Sequence, residues 1–354
     1  MILTGSRTHD ALIGLLCASL GADVDADLVG LAGDVAPEDL AELASLHFVH
    51  TNLHAALLSA PRTKRALPED FGIFAEEMQR AGSARNATIL DQISDLNETL
   101  AGIEAVLLKG SVELVVEPSA VWGPVFLNDI DILVPIGSSE KARERLLERG
   151  YFDDPNAGFQ ATGRHQMPAL YHDEKPVPVE LHTEAGGGRV KDFLSADAIF
   201  SRSGKTPFDN LKRPSEIDGV RLLVLHSVYA EPHAVLRLRE PLRFAGMRRR
   251  LDAETLSQAA TGPEAYSEAF AYMMALADAF ETGDPPSNPK ALAALELTAR
   301  PMESRLSYLR GVLATYARLL RQPDGISHAV KRLTSSSDIR KSAQFHLSKL
   351  KNMK

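Results

Sequence analysis

The sequence contains a single cysteine, Cys17, in 354 residues. An internal disulfide is therefore impossible, and the chain lacks the thiolates for a cysteine-based zinc site. A basic surplus is also missing. The net charge of −8 argues against a general nucleic-acid coat protein, which needs positive charge against phosphate, but leaves room for a local basic groove. No apolar run approaches the roughly 20 residues that cross a bilayer. The stretch from Ala11 to Leu20 is short, broken by polar residues and without a basic leader. It is expected to form a packed amphipathic helix and not a signal peptide. Together these absences predict a cytoplasmic protein in a reducing setting. No internal repeat is visible.

What is present is enough to build a core. The chain is 44% hydrophobic and 24% charged, which excludes disorder and allows two domains or one domain with large helical additions. Over 8–101 the pattern is helical. Leu12, Leu15, Leu16 and Leu20 make one stripe, and Pro37-Glu38-Asp39 opens a helix faced by Leu40, Leu43, Leu46 and Val49. A third helix begins near Pro68, is expected to break around Gly82, and resumes through Ile89, Ile93, Leu96 and Leu100. From 102 the character changes to strands and turns. Ile103 to Leu108 predicts a strand, Val112 to Val116 the start of a helix, 127–134 a strand stopping at Pro135, and Ser138 onward a helix stopped by Gly150. Residues 168–173 and Val177 to His182 predict two more strands. After Ser215 the pattern is helical again, with helices expected at 253–260, 264–281, 288–298 and 302–321. The domains predicted are an N-terminal helical region 1–101, a core 102–214, a C-terminal helical region 215–327 and a basic tail 328–354.

Two short pieces in the core carry chemistry. Leu107-Leu108-Lys109-Gly110-Ser111 ends a strand in a Gly-Ser turn, and Asn128-Asp129-Ile130-Asp131-Ile132-Leu133-Val134 sets two aspartates in an apolar run. Residues two apart on a strand share a face, so Asp129 and Asp131 are predicted to stand side by side. Adjacent carboxylates repel and are costly to desolvate, and a cation offsets that cost. Mg²⁺ suits the site because it takes carboxylates together with substrate phosphates. On the strand from Val177, Val179 and Leu181 share one face while Glu180 and His182 share the other. The competing readings are an exposed edge strand with solvated aspartates, an ordinary strand-to-helix turn with Ser111 as its cap, and a surface Glu180.

Taken in order, Leu108-Lys109-Gly110, Asp129-Ile130-Asp131-Ile132-Leu133-Val134, Gly150-Tyr151 and Val179-Glu180-Leu181-His182 resemble a bacterial nucleotidyltransferase group within the DNA polymerase β-like superfamily. The resemblance covers about 105–185. It departs at Thr183, where the group commonly has an aromatic residue, and at Pro124 to Leu127, where an arginine often precedes the aspartates. It implies an α+β fold: a small mixed β-sheet nucleotidyltransferase core flanked by N-terminal and C-terminal helical regions. It also implies transfer of an NMP group from an NTP, ATP foremost, to a hydroxyl acceptor with release of pyrophosphate. The acceptor is left open among a small molecule, a protein side chain and an RNA end.

On that resemblance Asp129, Asp131 and Glu180 are the catalytic and metal-holding set, with Mg²⁺ (or Mn²⁺) as cofactor. Glu180 is either a metal ligand or a base. Lys109, Gly110, Ser111 and His182 are the nucleotide-side residues: Gly110 for close backbone approach, Ser111 as a hydrogen-bond donor, Lys109 as a phosphate counter-charge or a surface lysine, and His182 as a substrate contact, a hydrogen-bonding support for Glu180 or a structural histidine. The helix after Ser111 is expected to add partial positive charge. His165 and His172 do not form a compact zinc motif with His182 and are read as structural or surface residues. Trp122 and Tyr151 are read as packing residues. Arg248-Arg249-Arg250 and the basic tail are read as solvated charge, with an anionic partner for the tail as the alternative. The other function classes are a non-catalytic nucleotide-binding or scaffold protein on the same fold, and a hydrolase or phosphotransferase use of the same metal cluster.

Overall fold

In the computed structural model the described residues are 4–116, 124–153, 165–186, 189–230 and 236–298. Trp122, the helix expected at 302–321 and the basic tail lie outside them. The N-terminal region consists of α1 (Arg7–Ser19), α2 (Asp25–Ala32), α3 (Pro37–Leu46), α4 (Leu53–Ser59), α5 (Pro61–Ala66) and α6 (Glu69–Thr99). Every residue of α1 from His9 to Ala18 is buried, so this helix is a central rod and not a one-sided amphipath. It packs against α2, α3 and α4. α3 has proline in its first turn followed by two acids, as the sequence indicates, but it stops at Leu46. Val49 is buried beyond its end, after Phe48 turns the chain with a positive φ.

α6 runs unbroken for 31 residues, so no break occurs at Gly82. A glycine inside a helix costs about 1 kcal/mol. The buried stripe Ile89, Ile93 and Leu96 and the N-terminal anchors Phe71 and Ala75 outweigh it.

The core follows as β1 (Ala105–Leu107), α7 (Gly110–Val116), β2 (Ile130–Leu133), α8 (Ser139–Glu148), β3 (Phe152–Asp153), β4 (Leu170–Tyr171), β5 (Val179–His182), α9 (Arg189–Phe193), α10 (Ala196–Arg202), β6 (Gly204–Lys205) and β7 (Leu211–Arg213). Among the described residues these strands form one mixed sheet of seven, in the order β3-β4-β5-β2-β1-β7-β6. β2 runs parallel to β5 and antiparallel to β1, and β1 runs parallel to β7. β2 is shorter than predicted, so Asp129 precedes the strand. Gly150 stops the turn after α8 with a φ of +88°.

Alternation sorts the sheet's two faces. Leu107, Ile130, Ile132, Val179 and Leu181 join a core with Ile89 and Ile93 of α6 and Ala142 and Leu146 of α8. Val106, Leu108 and Leu133 join the other core, shared with the remaining helices. Those on the C-terminal side are α11 (Glu216–Leu225), α12 (Arg239–Arg248), α13 (Ala253–Ala260), α14 (Glu264–Thr282) and α15 (Pro289–Thr298). The last three fall where the pattern predicts them. Ser215 caps α11 through its hydroxyl, which accepts from the Asp218 amide. The fold is thus α+β with helical flanks. One face of the sheet is covered by α6 and α8, the other by the helical layer.

α12 is the element that the reading of Arg248 to Arg250 as solvated charge misses. Arg248 bonds Asp278 and Glu281 of α14, and Arg249 bonds the Leu20 carbonyl. Arg248 and Arg249 fasten helices to one another and are not a free basic face.

Candidate active site

The apolar residues of β2 and β5 fix which polar ones face the helical layer. With Ile130, Ile132, Val179 and Leu181 turned toward α6, the intervening Asp131, Glu180 and His182 must point the other way. The parallel register sets Asp131 directly beside Glu180, and Leu133 beside His182. Asp131 is buried on a strand flanked on both sides, which removes the exposed-edge reading for that aspartate.

Asp131 is the hub. Its Oδ1 accepts from Lys109 Nζ at 2.7 Å and lies 2.7 Å from His182 Nε2. Burial alone would raise the Asp131 pKa, but the Lys109 charge and the His182 hydrogen bond overcome this and hold the carboxyl below its ordinary range. Glu180 Oε2 is 3.7 Å from His182 Nε2 and accepts from Gln166 Nε2 at 2.9 Å. His182 is fully buried, and its Nδ1 has no hydrogen-bond partner among the described residues, so Nε2 carries the proton facing Asp131. Burial works against the imidazolium, but Asp131 and Glu180 raise its pKa above the usual histidine value.

Asp131, Glu180 and His182 each offer one donor atom, and the three atoms lie within 4.8 Å of one another. Two carboxylates and an imidazole suit a divalent ion. Asp129 stands outside that tight group, half-buried on the residue before β2. Burial first, then the charges of Asp131 and Glu180, push its carboxyl up to about 6.

The turn before α7 and the first two residues of that helix supply the remaining predicted residues. Lys109 has a φ of +53°, the left-handed region that side-chain-bearing residues rarely adopt. Gly110 follows it, and a Cβ there would lie 2.1 Å from Leu127 Cδ2. Ser111 is buried, and its hydroxyl has no partner among the described residues, so it is not acting as a helix cap in this structure. Of the other histidines, His165 lies against His182 with ring centroids 5.6 Å apart, and His172 packs on Tyr151. Neither belongs to the donor group. Tyr151 is buried and accepts a hydrogen bond from Gln92.

A family model described as an uncharacterised nucleotidyltransferase matches residues 33–277, more than half the chain. The chain belongs to that family. The match takes in α6, the whole sheet and most of the C-terminal helical layer, so these flanks are part of the family's unit. No curated protein and no solved structure gives a significant match. For this nucleotidyltransferase-family chain the α+β sheet with helical flanks is consistent with a nucleotidyltransferase core. Among the described residues, no helix is long and apolar enough to cross a membrane.

The helical layer adds charged groups that the sequence reading passed over. Arg243 of α12 bonds Glu113 Oε1 of α7 through Nε at 2.9 Å and Nη2 at 2.6 Å, and its Nη1 is 3.8 Å from Glu240 Oε2. Arg239 bonds Glu240 at 2.8 Å. His226, at the end of α11, has its pKa lowered to about 4 by burial and by the Lys109 charge. The available signal was Arg239, Glu240 and Arg243 recurring at helical spacing beside Leu242, Phe244 and Ala245, a charged stripe on a face that must be buried.

Proposed function

We propose that this chain is a metal-dependent nucleotidyltransferase that moves an NMP group from an NTP, ATP foremost, to a hydroxyl acceptor. The observation that carries this reading is the pairing of Asp131 with Glu180 across two parallel strands, with His182 completing a three-donor group. In this reading residues 102–214 carry the transfer core, and 1–101 and 215–327 form its flanks.

Asp131 and Glu180 would hold Mg²⁺ (or Mn²⁺), with Asp129 beside them as a further carboxylate for the triphosphate side. When bound, the ion would supply charge neutralisation at the phosphates and would acidify the acceptor hydroxyl. The acceptor oxygen forms a bond to the α-phosphorus, the α–β phosphoanhydride bond breaks, and pyrophosphate leaves. The hydroxyl proton departs to a base, and Glu180, whose Oε2 accepts from Gln166, serves either as that base or as a ligand of the ion. His182 donates to Asp131 and fixes that carboxylate's orientation. To ligate the ion itself it would have to release the Nε2 proton. Lys109 supplies positive charge for the triphosphate, and the buried Ser111 hydroxyl a hydrogen bond. The acid set, with Asp131 buried and Asp129 and Glu180 half-buried, favours catalysis over a purely scaffolding role, since such carboxylates have no packing value of their own.

The test uses NTPs labelled at the α-phosphate, with Mg²⁺ or Mn²⁺ and a cell extract as the source of acceptor. Labelling is expected to need the metal, to release pyrophosphate and not phosphate, and to fall at least about 100-fold in Asp131→Asn and in Glu180→Gln. Wild-type labelling by either variant refutes the assignment.

A further inference from the structure

Lys109 combines three features. Its backbone is left-handed, a conformation disfavoured for any residue with a Cβ. Its Nζ is bonded to Asp131 Oδ1, the oxygen that also meets His182 Nε2 at the same distance of 2.7 Å. Its charge also reaches Asp129 and Glu180, so one ammonium serves three acids. A carboxylate oxygen has two lone-pair sites, and here both are taken. A divalent ion on either oxygen of Asp131 therefore meets an ammonium already bonded to that carboxylate. Of the two donors, His182 is fully buried on a strand. Lys109 has a side chain that is 25% exposed and a flexible four-carbon stem. Lys109 is the one free to move.

Resting on the metal-site reading above, we infer that Lys109 is a tethered counter-ion that competes with the divalent ion for Asp131 and transfers to the triphosphate when the ion arrives. The exchange breaks no covalent bond and moves no proton. The ammonium leaves one anion and meets another. It follows that metal alone binds weakly, that metal and nucleotide bind with positive coupling, and that the ligand taken up is the metal–nucleotide complex. The hydrogen bond from Nζ holds the side chain over β2 at the Asp131 carboxylate that the ion has to reach.

The experiment measures Mn²⁺ binding to the full chain by the loss of the free-ion electron paramagnetic resonance signal, with and without α,β-methylene-ATP. Lys109→Met and Lys109→Gly both remove the ammonium, and the glycine variant also accepts the positive φ, so a folding defect in one leaves the other to report. An adjacent cation lowers a carboxylate's proton affinity by about tenfold or more, and a divalent ion at the same carboxylate meets the same repulsion. Both variants are therefore expected to bind Mn²⁺ alone about tenfold more tightly than wild type, and the analogue's enhancement of Mn²⁺ binding is expected to shrink toward unity. Unchanged or weaker Mn²⁺ binding in the folded variants overturns the inference. Asp131→Asn separates the two levels. Loss of Mn²⁺ binding there with unchanged binding in the lysine variants removes only the role of Lys109. Wild-type Mn²⁺ affinity in Asp131→Asn removes the metal site itself.

Discussion

Gly110 shows how much one missing side chain decides. The position opens α7, where alanine would otherwise help the helix, yet its absent Cβ is the space that Leu127 fills. Leu127 is buried and lies two residues before Asp129, so the same contact sets the approach of the acid-bearing segment to the turn. Gly110→Ala is expected to destabilise the protein by about 1–3 kcal/mol, the usual range for overpacking. Leu127→Ala in the same chain should recover part of that loss, giving a non-additive double-mutant cycle in chemical denaturation. Full additivity would show that the two positions do not meet. The sequence reading gave Gly110 a role toward phosphate; the structure adds a packing requirement that no motif reveals, because Leu127 is 17 residues away along the chain.

At the level of elements, α12 reaches the core through Arg243 and Glu113. Both groups are largely buried, and Arg243 keeps its charge because Glu113 and Glu240 outweigh the effect of burial. Arg243→Met leaves two carboxylates without their shared partner and is expected to cost about 3–5 kcal/mol, measurable as a lowered denaturation midpoint. Adding Glu113→Met should return much of it, and failure to do so would mean that the pair is not the link between the helices. α12 also marks where sequence reasoning ran short. Long apolar stripes, as in α14, and strict alternation, as in Val179 to His182, were legible because period alone specifies which side is buried. The two-residue strand β6 and three-residue β7 carry too few positions to show a period. α12 hides behind its charges, which pair only once the chain has folded. Of the donor group, alternation among aliphatics marks Asp131 and Glu180 as paired acids, whereas His182, which the sequence assigns to the nucleotide side or to structure, joins them in place of Asp129 only through the strand pairing. The off-strand placement of Asp129 depends on where pairing to β5 begins, at Ile130 opposite Val179, which alternation does not show.

Across the molecule, the end of the described C-terminal region returns to the N-terminal one. Thr298 Oγ1 lies 2.6 Å from His9 Nε2, and its carbonyl accepts from His47 Nε2 at 3.1 Å. Both histidines are fully buried. Burial, reinforced by the His47 charge, lowers His9 to about 3, and burial, with Arg237 opposing protonation too, lowers His47 to about 4. Unfolded histidine titrates near 6.5, so below that pH the unfolded chain binds protons that the folded chain refuses. Stability is therefore complete above about pH 6.5 and falls as the pH drops toward 4, by up to about 1.4 kcal/mol per pH unit for each histidine. His47→Gln should flatten this slope in denaturation curves between pH 6.5 and 4. An unchanged slope would show that the histidine is not held neutral.

The register between β2 and β5 has a bearing on how such a chain can change over generations. Asp131 and Glu180 are brought abreast by strand pairing, and the 48 residues between them do not set their separation. Insertions in the intervening connection are thus compatible with an intact acid pair, whereas loss of one residue inside β5 turns its acid toward α6. Diversification has a wide corridor in the loops and almost none within four residues of strand.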